Sequence, residues 1–263
     1  MVHSTMNDGF YYDQRHAKTI ASAKHVLGIL WAHTQPRSVV DVGCGVGTWG
    51  NVSKEFGAEE VHGVDSASVP KSERVLDPAE FMERDLSSPN ALKGLKADLA
   101  ICLEVAEHLP NTVSHQLVAT LCKTAPVILF SAAIPGQGGH GHINEEWQDN
   151  WAKIFSQQGY RAFDVIRPAV WGNSDIEIWY RQNCVVYSPL GGPLTQAGLE
   201  PVAFDNLAQL RLVHPKMALS KPTSVPDSKF AKLTWRLGRK MQYVSQTGRW
   251  NLPESPVAQE EPW

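Results

Sequence analysis

Glu104, Glu107 and His108 stand at spacing i, i+3, i+4. On a helical turn that spacing places two carboxylates and an imidazole on one face, where they can bind a divalent cation or move a proton. A later stretch, Gly139-His140-Gly141-His142, offers either histidine as a further member of the cluster. Pro135 to His142 contains four glycines and two histidines, which suits a gating loop and equally a plain connection. Upstream, Val39-Val40-Asp41-Val42-Gly43-Cys44-Gly45-Val46-Gly47-Thr48-Trp49 passes from an apolar run into glycines at alternate positions. Glycine there lets the backbone turn sharply and come close to a ligand. The dinucleotide fingerprint is G-x-G-x-x-G, and a phosphate loop closes on Gly-Lys-Ser/Thr. Here the spacing is G-x-G-x-G and Thr48-Trp49 stand in place of the lysine motif. The turn therefore suits a nucleotide-type ligand with no phosphate at that point.

These residues need a scaffold, and the hydrophobic pattern predicts one. Ile20, Ala23, Val26, Leu27, Leu30 and Trp31 recur at helical spacing, so 14–34 reads as an amphipathic helix ended by Pro36. Strands are expected at 38–42, 60–65, 81–83 (weakly), 97–103 and 127–133. Helices are expected at 47–57, 112–124 and 145–158, the last capped by Asn144 with Glu145 and Glu146 in its first turn. Two more strands, 160–166 and 182–188, are separated by a segment with little helical pattern and so predict an antiparallel edge. The whole reads as an α/β, doubly wound, Rossmann-like sheet of seven strands, mostly parallel. The expected organisation is an N-terminal cap segment and helix at 1–35, the main domain at 36–188, and a Pro-rich basic extension at 189–263 with one helix over Ser228 to Val244.

In this order the signals resemble the class I S-adenosylmethionine-dependent methyltransferases, over about 36–188. The resemblance implies that Asp41, Gly43, Cys44, Gly45 and Gly47 form the turn around the methionine and ribose of the cofactor. It implies further that Asp65 holds the ribose hydroxyls, that Asp85, within Arg84-Asp85-Leu86, meets the adenine amine, and that Glu104 contacts cofactor at the transfer point. The Glu104-x-x-Glu107-His108 segment is similar to those of the ubiquinone-biosynthesis O-methyltransferases and the small-RNA 3′-terminal 2′-O-methyltransferases. That similarity implies a divalent metal, Mg²⁺ or Mn²⁺, on Glu104, Glu107, His108 and His142. A metal-free acid–base centre built on His108, His142 and Glu107, and a purely packed role, both remain open on sequence. Phe10-Tyr11-Tyr12, ahead of the first helix, is a candidate cover for the cofactor. Arg167-Pro168, Trp171 and Trp179 to Asn183 read either as the lining of an acceptor pocket or as an aromatic lid on the sheet edge.

The expected activity is O-methylation of a hydroxyl on a small molecule, a saccharide or a specialised metabolite. RNA 2′-O-methylation and a catalytically silent cofactor-binding partner are the alternatives. Composition narrows the rest. The 263 residues carry a net charge of −3, which argues against nucleic acid as the partner. Cys44, Cys102, Cys122 and Cys184 show no paired spacing and predict reduced thiols and a cytoplasmic location. No apolar run is long enough for a membrane span, and Met1 to Phe10 has no apolar signal core. The lysines and arginines of the extension, with Trp235 and Tyr243, suggest a solvated helix or a contact between copies of the chain.

Overall fold

The computed structural model describes residues 8–218, with side chains from residue 17 onward. Helix α1 (Asp8–Trp31) is followed by β1 (Ser38–Val42), α2 (Thr48–Glu55), β2 (Glu60–Asp65), β3 (Phe81–Glu83) and β4 (Leu99–Leu103). Then come α3 (Asn111–Thr124), β5 (Val127–Ser131), α4 (Gln148–Gln157), β6 (Tyr160–Phe163), α5 (Ile166–Val170), α6 (Ile178–Asn183) and β7 (Val185–Pro189). The seven strands form one sheet in the order β3-β2-β1-β4-β5-β7-β6. All neighbours pair in parallel except β7, which runs antiparallel to both β5 and β6. The antiparallel character expected at the C-terminal edge thus comes from one strand slotted inside the edge, with β6 outermost.

Strands β4 and β5 are buried along their whole length, as a sheet covered on both faces requires. One apolar layer sets Val40, Ala100, Ile128 and Tyr187 against Leu117 and Leu121 of α3 and Trp151 and Phe155 of α4. The other sets Val39, Leu99, Leu129 and Val186 against Leu27 and Leu30 of α1, Val52 of α2 and Ile166 of α5. The order of pairing reverses between β1 and β4, and the carboxyl ends of these two strands open a crevice, the usual ligand position of such sheets. The glycine turn leaves β1 at this crevice and Glu104 leaves β4 beside it.

Three local expectations differ from what is observed. Phe10-Tyr11-Tyr12 lies within α1 rather than ahead of it. The segment between β6 and β7 holds two short helices, α5 and α6, too short to register as a periodic pattern. Helix α4 begins at Gln148 with Trp147 at its N-cap, and Asn144 is instead buried, its amide on Ala106 O and Ser114 Oγ. Beyond β7 the chain continues along the sheet: Leu194 is buried in the second layer, Leu207 and Leu210 in the first. The helix expected at Ser228 to Val244, with Trp235 and Tyr243, lies outside the described residues. Among the described residues no helix is long and apolar enough to cross a membrane. The four cysteines are free, as expected.

Candidate active site

The turn after β1 is built from positive-φ glycines, Gly43 (71°), Gly45 (56°) and Gly47 (93°). Each is glycine for a different reason. A Cβ on Gly43 would run into Val105, the residue after Glu104, and one on Gly47 would come within 2.5 Å of Leu76 Cγ. A Cβ on Gly45 would meet nothing within 4 Å, so this residue is demanded by its dihedral alone and its Cα faces open space. That open face is where backbone can approach a ligand. Cys44 contributes only backbone there. Its side chain is buried, its sulfur packs on Gly63 of β2, and burial pushes its thiol far above the usual range.

Asp65, at the end of β2, holds this turn shut: Gly45 N–H donates to Oδ2 at 2.7 Å and Ser66 N–H to Oδ1 at 2.6 Å. Each oxygen keeps a further lone pair, the requirement for receiving two sugar hydroxyls. Asp41 has a different part. Gly47 stands at the N-cap of α2 and has no side chain with which to cap it. Asp41, buried in β1, accepts the Gly50 N–H at 3.0 Å and so supplies the missing cap from across the fold. Burial raises its pKa to about 7. Asp85 is exposed and accepts both the N–H and the Oγ–H of Ser87, a local turn that holds its carboxyl below the usual range.

The acidic segment after β4 is not one helical face. Glu104 has φ 55°, the one positive φ at a non-glycine among the described residues, and only Ala106–His108 form a 3-10 turn. The bend takes Glu104 off a shared helical face, yet its carboxyl stays against that of Glu107, close enough to share a proton. The Glu104 carboxylate accepts from Asn183 Nδ2 at 3.2 Å and Gln137 Nε2 at 3.4 Å, and its N–H donates to Ser131. Glu107 is completely buried. Its Oε1 accepts the Ala133 N–H at 3.2 Å, while Oε2 is buried and no N–H reaches it. Burial, then the charge of Glu104, lifts Glu107 to about 9. Glu104 is raised as well, chiefly by burial.

Glu107, His108 and His142 present ligand atoms all within 4.8 Å of one another. The two imidazoles meet edge to face at 4.9 Å between centroids. His142, not the exposed His140, is therefore the loop histidine brought to the cluster. His108 is exposed at its outer side, and the desolvation of its inner side, with the neighbouring His142, lowers its pKa. The loop after β5 returns to the cluster through Ile143 and Asn144, both of whose N–H groups donate to Glu107 O. The stretch expected to line a pocket or form a lid divides. Arg167 is fully buried in a fork with Asp164 and a bond to Leu210 O, and Trp171 packs on His214. Asn183 and Gln182 reach the site through Glu104 and Gln137, and Tyr180 packs edge-on against Trp49 at the start of α2.

A methyltransferase-domain family model matches residues 13–164, more than half of the chain. The chain belongs to the class I S-adenosylmethionine-dependent methyltransferases. Among solved structures, this methyltransferase is similar to a sugar N-methyltransferase from Streptoalloteichus, with TM-score 0.52 at 15% identity over 72% of this chain and 97% of that one. It is also similar to magnesium protoporphyrin IX methyltransferase from Synechocystis, with TM-score 0.47 at 19% identity over 71% and 88% of the two chains. An O-methyltransferase family protein from Burkholderia thailandensis aligns over 68% of this chain at 13% identity, with TM-score 0.48. The methyltransferase covers 56% of the length of that protein. At these identities the likeness is one of fold. No curated protein matches by sequence.

Several residues of this methyltransferase's site carry no motif. Gln137, Asn183 and Glu145 became visible only once α6 and the loop after β5 were placed beside β4. The one sequence signal was polarity: Gln182-Asn183 is an amide pair leading into an apolar strand.

Proposed function

We propose that this methyltransferase methylates a hydroxyl oxygen of a small molecule, a saccharide or specialised metabolite, with a divalent ion, Mg²⁺ or Mn²⁺, held at Glu107, His108 and His142. The observation that carries this reading is the grouping of those three side chains next to Val105, which packs on the cofactor turn at Gly43. The donor set suits such an ion: a buried carboxylate with an oxygen that no N–H reaches, and an imidazole whose lowered pKa favours the neutral form. Two buried carboxyls in contact are costly to ionise together unless one is protonated or a cation lies between them.

The residues divide the work. Gly43, Gly45 and Gly47 let the backbone lie along the methionine and ribose part of S-adenosylmethionine, which supplies the methyl group. Asp65 receives the ribose hydroxyls while keeping the turn closed, and Asp85 meets the adenine amine with the oxygen that Ser87 leaves free. Asp41 fixes α2 against β1. Glu104 stays in the clamp of Asn183 and Gln137 and adds negative charge at the cluster. A neutral aliphatic hydroxyl attacks a sulfonium methyl poorly, and a metal at this position would lower its pKa and fix its place. Where no metal is bound, His108 is the base within reach.

The test is transfer of tritium from methyl-labelled S-adenosylmethionine to a panel of monosaccharides, nucleosides and hydroxylated aromatics, with and without chelator. The expected product is a methyl ether whose formation stops on chelation and returns with Mg²⁺ or Mn²⁺. Full activity in chelator, retained by Glu107→Ala, would sink the metal reading. Label entering RNA, with binding that weakens steeply with salt, would move the acceptor to nucleic acid.

A further inference from the structure

Resting on that reading of the cluster, we infer that Glu145 is a positioning residue that sets the tautomer and orientation of His142. Its carboxylate lies 3.3 Å from His142 Nδ1. The same carboxylate accepts the Gly138 N–H on Oε1 and the Gly136 N–H on Oε2, both at 2.8 Å. One largely buried side chain therefore ties down two amides of the glycine loop and the imidazole that the loop delivers. Gly136 and Gly138 have positive φ, and the clamp fixes the turn they make.

With Nδ1–H held by a carboxylate, the lone pair of His142 is on Nε2, available to a metal. An imidazole held in this way by a carboxylate is a better oriented ligand. The loop adds a steric stop. A Cβ on Gly139 would collide with Nε2 and Cε1 of His142, so the imidazole lies flush on Gly139 backbone and only glycine leaves it there. The arrangement explains a loop this rich in glycine that is nonetheless anchored. It also explains why Glu145, expected in the first turn of α4, lies ahead of that helix.

The test combines two readouts on the full chain, wild type against Glu145→Gln and Gly139→Ala. Nitrogen chemical shifts of ¹⁵N-labelled histidine, with no metal added, report the tautomer. The expected result is Nδ1–H at His142 in the wild type, lost in Glu145→Gln. An Nε2–H tautomer in the wild type overturns the inference, whatever the metal does. The second readout is Mn²⁺ affinity by calorimetry, expected to fall roughly 10- to 100-fold in both variants. Affinity for S-adenosylhomocysteine, bound by the turn at Gly43 to Gly47, should be unchanged, which reports that the variants fold. A wild type that binds Mn²⁺, with affinity unchanged in both variants, also overturns the inference. A wild type that binds no Mn²⁺ yet shows the Nδ1–H tautomer would contradict the metal reading and leave the role of Glu145 standing.

Discussion

Two carboxyl groups at the end of β4 lie close together under different constraints, and their protonation sets how the site behaves with pH. Glu104 is held by two side-chain amides, whereas Glu107 has one backbone amide and otherwise the carboxyl of Glu104. Because the folded pKa of Glu107 is raised to about 9, the metal-free protein holds this proton at neutral pH. A cation must displace it, so Mn²⁺ affinity is expected to rise as pH increases from about 6 to 9 and to lose that slope in Glu107→Gln, as calorimetry would read. Asp41 gives a second, separate prediction. Its folded pKa, about 7, exceeds the ordinary value of 3.8, so the native state binds the extra proton. Stability is therefore expected to fall as pH rises from about 4 to 7 and then level off. In Asp41→Asn, which retains an acceptor for the Gly50 N–H, melting temperature should be flatter across that window. The acids were legible as sequence, since each stands at the end of an apolar run. Their division of labour was not: the positive φ of Glu104 breaks the apparent i, i+3, i+4 face, and nothing in Leu103-Glu104-Val105 announces it.

The glycine turn tests how much each backbone position contributes at the scale of an element. Gly45→Ala adds a methyl to open space and faces only the left-handed dihedral, roughly 1–2 kcal/mol. Gly43→Ala adds the same strain and also presses on Val105. Urea unfolding should therefore show Gly43→Ala losing about 1–3 kcal/mol more than Gly45→Ala, the usual penalty of overpacking. Weakened S-adenosylhomocysteine binding is expected in both. The first three strands were read at their observed bounds, and β4 and β5 to within two residues. Burial on both faces makes β4 and β5 continuous apolar runs. The strands expected at 160–166 and 182–188 overran into α5 and α6. Helices α5 and α6 escaped because five and six residues cannot display a helical period. The start of α4 was misplaced because Asn144 has the residue type of a cap, yet spends its amide holding the turn that carries Glu107 to the base of α3.

On the scale of the molecule, the reversal of strand order between β1 and β4 brings together segments that are about sixty residues apart in sequence. The cofactor turn and the acidic cluster become neighbours through this topology, and the loop after β5 adds His142 from the next strand along. The residues after β7 close the fold from both sides: Leu210, fully buried, lies on the α3–α4 face, and its carbonyl accepts from buried Arg167. Leu210→Ala should cost about 2–5 kcal/mol in urea unfolding, despite lying in a segment whose prolines suggest a loose extension. Fold and donor were legible because they follow from periodicity and a glycine spacing, while the acceptor depends on a pocket assembled from loops that share no motif. The central claim is that Glu107, His108 and His142 hold a divalent ion beside the bound cofactor. Anomalous scattering from a crystal grown with Mn²⁺ and S-adenosylhomocysteine tests it most directly. The account predicts a manganese peak bonded to those three side chains, absent in Glu107→Ala. A cofactor-bound crystal with no peak there, from enzyme that stays fully active in chelator, would contradict it.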